Sequence, residues 1–146
     1  FPDDIEAHLQ LAQIYFNHYQ DIKNALKMIK VIYDKKSDDS KINTLYALIL
    51  TADGAFDSAL EKIDLAINLD ENNLDTYLRK IYILKCIGNN EQYVEFCNFV
   101  REKFSDKIDY YVKKSRKSCV AIGSLASILP QCGFSVISSS LYSRKW

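Results

Sequence analysis

A chain of 146 residues can bury a core of its own, and 48% apolar with 26% charged residues excludes a disordered, highly charged segment. Nineteen Lys and Arg balance nineteen Asp and Glu, so no overall field draws the chain to nucleic acid or to an anionic membrane. Only four Gly and two Pro are present, which argues against a turn-rich β fold and for helices.

In chain order, Leu9, Ala12, Tyr15 and Phe16 share one face of a helix, and a turn over Asn17–Asp21 separates them from Leu26, Ile29, Ile32 and Tyr33 on a second. Leu45, Leu48 and Ala52 then precede Asp53-Gly54, a helix stop in which Gly takes a left-handed conformation without a Cβ clash. Phe56, Ala59, Leu60, Ile63 and Ile67 mark the next helix. The plan recurs with Tyr77, Ile81 and Leu84, a stop at Gly88, and then Tyr93, Phe96 and Val100.

These segments lie on one ruler. Ala25, Ala59 and Tyr93 are 34 residues apart, as are Ile29, Ile63 and Cys97, and Ile32, Ala66 and Val100. Ala12, Ala47 and Ile81 are spaced by 35 and 34 because the first turn carries one extra residue and no Gly. A fixed period of this size is the signature of stacked supersecondary units. It predicts three helical hairpins over about residues 4–37, 38–71 and 72–106. A helix over 107–122, either a polar cap or part of a fourth unit, and a tail over 123–146 that carries no charge as far as Ser143 should follow.

The block from Gly54 onward, AFDSALEKIDLAINLDEN, resembles the second helix of a tetratricopeptide repeat. Gly54, Phe56, Ala59 and Ala66 match that family's helix stop, aromatic and paired small residues, and Ala12 and Ala47 match the small residue of its first helix. The proline that usually closes the family's second helix is replaced by Ser37, Glu71 and Ser105. Pro2 stands where the close of a preceding repeat falls, so the sequence reads as part of a longer array. The resemblance covers about residues 1–106 and implies an all-α, right-handed solenoid of antiparallel helix pairs.

In that family the first helices line a concave groove that takes a peptide or a partner protein. The resemblance places Leu9, Gln13, Phe16 and Asn17 there from the first hairpin, and Thr44, Leu48 and Thr51 from the second. From the third it places Asp75, Leu78, Arg79, Tyr82 and Lys85. Members that grip the acidic tails of heat-shock chaperones use a clamp of two Lys, two Asn and one Arg. The corresponding residues here are Leu9, Gln13, Leu45, Asp75 and Arg79, and only Arg79 matches, so a chaperone tail is not expected.

Nothing in the sequence points to catalysis or to a cofactor. His8 and His18 stand in no HExxH or Cys–His spacing, and no phosphate loop, dinucleotide fingerprint or GxSxG elbow occurs. The acidic pairs Asp3-Asp4, Asp38-Asp39 and Asp70-Glu71 recur at hairpin junctions, where they can cap helices. Cys86, Cys97, Cys119 and Cys132 form no CxxC pair, which suits reduced thiols and a cytoplasmic setting. The expected role is therefore an interaction scaffold, not an enzyme. Two other readings compete with it. An apolar stretch over 119–141 behind basic residues could anchor an adaptor in a membrane, and Lys113, Lys114, Arg116 and Lys117 could touch RNA.

Overall fold

The computed structural model describes residues 4–115. They form α1 (Ile5–Asn17), α2 (Ile22–Lys35), α3 (Ser40–Asp53), α4 (Phe56–Leu69), α5 (Leu74–Ile87), α6 (Asn90–Lys103) and α7 (Ser105–Ser115). The described residues are all-helical, with each expected hairpin contributing its two helices. The helix expected from 107 starts two residues earlier, at Ser105. Pro2, Arg116, Lys117, Cys119, Cys132, the apolar stretch over 119–141 and the tail over 123–146 lie outside the described residues. No helix among those described is long and apolar enough to cross a membrane.

The chain divides into two compact units, Phe1–Ile83 and Leu84–Trp146, and the boundary falls inside α5 instead of at a hairpin junction. In the first, α1 packs on α2, α2 on α3 and α3 on α4. Ala12, Ala25, Ala47, Ala59 and Ala66 are all 0% exposed. These are the small residues of the 34-residue ruler, and a methyl group at each lets neighbouring backbones approach. Ile29, Ile32, Ile42, Leu45 and Ile49 fill the space around the first contacts. Ala52, in the apolar run ahead of the Gly54 stop, is exposed, and Ile42 and Ile49 are buried on α3. At the far end of the α3–α4 pair, Ser40 Oγ donates to the Ala66 carbonyl at 3.1 Å, tying the start of one helix to the last turns of the other.

Five helix starts are closed by side-chain oxygens that accept from otherwise orphaned amides, whereas α4 begins after Ala55 with no side-chain cap. Asp4 accepts from Ala7 N, Asp21 from Asn24 N, and Asn89 from Gln92 N. Asp39 accepts from both Lys41 N and Ile42 N, at 2.9 and 3.3 Å. The third junction departs from expectation. Asp70 ends α4, and Asn73, not the Asp70-Glu71 pair, accepts from Asp75 N ahead of α5. Burial works to raise the Asp39 carboxyl, but the Lys36 ammonium at 3.1 Å and the two amides outweigh it and hold the group below its ordinary value.

Turns differ in how they reverse the chain. Gly54 and Gly88 sit at φ 84° and 83°, in the left-handed region that ends a helix. The longer first turn has no Gly, and Gln20 takes the left-handed conformation there at φ 51°. Between the hairpins, Lys62 of α4 donates to Tyr33 Oη at 3.0 Å, and the Tyr33 ring meets Tyr46 of α3 edge-on at 5.3 Å. That bond raises the Lys62 ammonium above its ordinary value against the opposing effect of burial.

In the second unit α6 packs on α7, with Cys97 and Val100 of α6, Phe104 between the helices and Ile108 of α7 all buried. Cys86 is exposed and Cys97 buried, both outside any disulfide.

Three outcomes follow from this packing. Ala59→Leu forces an extra isopropyl group into a fully buried contact and should cost about 1–3 kcal/mol in denaturant unfolding. At the turns the sign depends on φ. Gln20→Gly should raise the unfolding midpoint while Gly54→Ala lowers it, each by an amount on the order of 1 kcal/mol. No atom lies within 4 Å of a Cβ built on Gly54, so that cost is backbone strain alone. The third concerns pH. A carboxyl held below its unfolded value of 3.8 contributes stability that is present above that value and lost as pH falls through the folded one. The stability gap between the natural chain and Asp39→Asn should therefore shrink between about pH 6 and about pH 3 in urea titrations.

Candidate functional site

Because α1, α3 and α5 begin successive hairpins, the same helical register brings one face of each to a common cavity of about 310 Å³ within the first compact unit. From α1, Gln13, Phe16 and Asn17 reach it at i, i+3 and i+4, one continuous stripe of helix surface. From α3, Lys41, Thr44, Leu45 and Leu48 do so over two turns, and Asp75 and Arg79 of α5 complete the wall.

Phe16 and Leu48 are half-buried and Leu45 is 7% exposed, so the floor is apolar and partly open to a ligand. Polar groups ring it. The Thr44 hydroxyl donates to Ser40 O at 2.7 Å, which leaves its oxygen lone pairs as acceptors. Gln13 and Asn17 bring amides with both donors and acceptors. Arg79 Nε lies 3.5 Å from Asp75 Oδ2 one turn earlier on the same helix, with both side chains about half exposed. Lys41 is the second cation of the lining, so the wall carries two cations against one carboxylate. Among the described residues no group of His, Cys, Asp or Glu is arranged to hold a metal ion.

The residues expected in the groove separate into three sets. Gln13, Phe16, Asn17, Thr44, Leu48, Asp75 and Arg79 are brought together as its lining. Leu9 and Thr51 are instead buried, at 8% and 7% exposure, Leu9 in the core cluster and Thr51 with its hydroxyl donated to Ala47 O at 2.8 Å. Leu78 is half-buried and Tyr82 is 53% exposed beyond the cavity lining, and Lys85 belongs to the second compact unit. Lys41 and Leu45 join the wall unanticipated as groove residues. Both lie on the stripe that Thr44 and Leu48 define at i−3 and i−4 spacing, a periodicity that points to them.

No family model matches the sequence, and no curated protein matches it. Among solved structures, the chain is similar to the TPR2B domain of yeast Sti1, determined as a complex with pHsp70, with 19% identity and a TM-score of 0.64. The match covers 87% of this chain and 97% of that one. A likeness at that level of identity carries the architecture, and it agrees with the 34-residue period, the buried alanines and the glycine helix stops: the chain has the tetratricopeptide-repeat fold, with α1, α3 and α5 in the place of its first helices.

Proposed function

We propose that this protein is an interaction scaffold that binds a peptide or a segment of a partner protein in the groove between α1, α3 and α5. The observation that carries the reading is the lining itself. An apolar floor of Phe16, Leu45 and Leu48 is ringed by amides, a hydroxyl and two cations, and it is open enough to admit side chains. Apolar anchors supply affinity there, and the polar rim fixes register. Burying one Leu or Phe of a ligand is worth about 1.5–3 kcal/mol, so two anchors supply about 3–6 kcal/mol and the polar rim must add the rest of a micromolar affinity.

Charge narrows the ligand further. With Lys41 and Arg79 against Asp75, the rim favours a segment that carries a carboxylate beside its apolar anchors. This is a different requirement from the chaperone-tail clamp. Of the five clamp positions, Leu9 is in the core, Leu45 is apolar floor and Asp75 is a carboxylate, so three of the donors that such a clamp needs are missing. An acidic chaperone tail is accordingly not the partner proposed. Nor does the rim suit nucleic acid, whose phosphates call for a continuous basic track.

A random peptide library displayed against the full chain supplies the test. Selected peptides should pair apolar residues with Asp or Glu. Phe16→Ala and Leu48→Ala should each weaken them about tenfold or more, with far-ultraviolet circular dichroism unchanged. Lys41→Glu should weaken them further and flatten their salt dependence. Selected peptides that bind all three variants as tightly as the natural chain would sink the groove as the binding site.

A further inference from the structure

The outward faces of α2 and α4 carry opposite charge in matching columns. On α2, Lys23, Lys27 and Lys30 stand at i, i+4 and i+7, one exposed stripe on the side away from the buried Ala25, Ile29 and Ile32. A period of 34 residues later, the same columns of α4 hold Asp57, Glu61 and Asp64, exposed on the side away from Ala59, Ile63 and Ala66. A fourth column sets Asp34 of α2 against Asn68 of α4. The sign is inverted in three columns, and no column matches like charges.

Helix formation does not account for these stripes. Lys23–Lys27 and Lys27–Lys30 are like-charge neighbours one turn apart, as are Asp57–Glu61 and Glu61–Asp64, and such pairs weaken a helix. Lys23 also lies in the first turn of α2, where the positive end of the helix dipole opposes a cation. Of the six, Asp57 alone is favoured by its own helix, in the first turn of α4. Among the described residues no ion pair reaches Lys23, Lys27 or Lys30. On the acidic side Glu61 meets Lys62 at 3.9 Å, and Asp64 stays 51% exposed while it accepts from Lys80.

We propose that a second copy of this chain docks here, with the Lys23–Lys27–Lys30 stripe of each copy against the Asp57–Glu61–Asp64 stripe of the other. Charge complementarity between two stripes of one surface identifies the occupant. As second helices of successive antiparallel hairpins, α2 and α4 run in the same sense, and they are neighbours, since Lys62 of α4 donates to Tyr33 of α2 at 3.0 Å. A two-fold axis between them and parallel to both sets α2 of each copy on α4 of the other, in one direction and register. Lys23 then meets Asp57, Lys27 meets Glu61 and Lys30 meets Asp64, each pair formed twice, and Asp34 meets Asn68. An axis across the helices would instead set lysine against lysine, so the charges select one orientation. No lining residue of the groove lies on α2 or α4, and the contact leaves each copy its own binding site.

Exposed ion pairs are individually weak and screened by salt, so the dimer belongs to low ionic strength. In sedimentation the full chain should be dimeric at about 0.01 M salt, where the Debye length is about 30 Å, and monomeric at about 1 M, where it is about 3 Å. Lys23→Glu with Lys27→Glu should give a monomer at low salt, and so should Asp57→Lys with Glu61→Lys. All four side chains are exposed, and Asp64 is left in place because it holds Lys80. An equimolar mixture of the two double variants should dimerise again, since every altered contact then opposes unlike charges. A natural chain that stays monomeric at low salt overturns the proposal. So does a dimer that persists in either double variant, which gives the contact to another surface, and so does a mixture that fails to associate.

Discussion

The close approach of helices at fully buried alanines sets everything else in the first compact unit. Ala12 and Ala25 within one hairpin, and Ala47, Ala59 and Ala66 in the next, leave room for nothing larger than a methyl group. Small residues at such a contact let helix axes approach, and the larger Ile and Leu side chains pack beside it. Since the alanines recur at one interval in the first two hairpins, these two can share one internal geometry, whereas Ile81 and Tyr93 stand in the same columns of the third. A bundle without that regularity could bury as much apolar area, but it would not bring equivalent faces of α1, α3 and α5 to one cavity.

The groove is therefore a product of register, and its chemistry is what varies within the register. Lys41 and Asp75 occupy equivalent positions of successive hairpins, and so do Leu45 and Arg79. Gln13 is followed by Leu48 in the same column. The scaffold demands nothing of these residues beyond compatibility with a helix, so charge, amide and hydrocarbon can be exchanged there at little cost to folding. By contrast, one column on the other face of the first helices keeps its character, with Ile14, Ile49 and Ile83. Conserved geometry with variable lining is how one fold serves many ligands, and it is why the fold by itself names no partner.

The helices and their pairing were legible because a 34-residue period and a 3.6-residue period coincide in this chain. What was not legible lies where two faces of one helix meet. Leu9 and Gln13 share a stripe at i and i+4, yet Leu9 turns into the core and Gln13 into the groove, a difference of side-chain direction that spacing alone does not encode. Thr51 looks polar enough for a groove, but its hydroxyl bonds the Ala47 carbonyl one turn back, which makes burial inexpensive. Ala52 shows the converse, a small apolar residue that a helix tolerates in solvent. At the third junction, charge density drew attention to Asp70-Glu71, although the cap needs an acceptor directly before the first turn, where Asn73 stands.

The adjacent cations Arg79 and Lys80 show how one helix serves both tasks. Successive residues on a helix point about 100° apart, so Arg79 lines the groove while Lys80 joins Asp64 of α4 at 2.6 Å. The Lys80 side chain is 20% exposed, and its pairing belongs to the column that joins hairpins. Arg79 is held only by Asp75, at 3.5 Å in a pair about half exposed on both sides, an arrangement worth about 0–1 kcal/mol. A ligand carboxylate can therefore draw Arg79 away from Asp75 with little loss of folding stability. Such a group is available for binding because the fold does not depend on it, whereas its neighbour in sequence is spoken for.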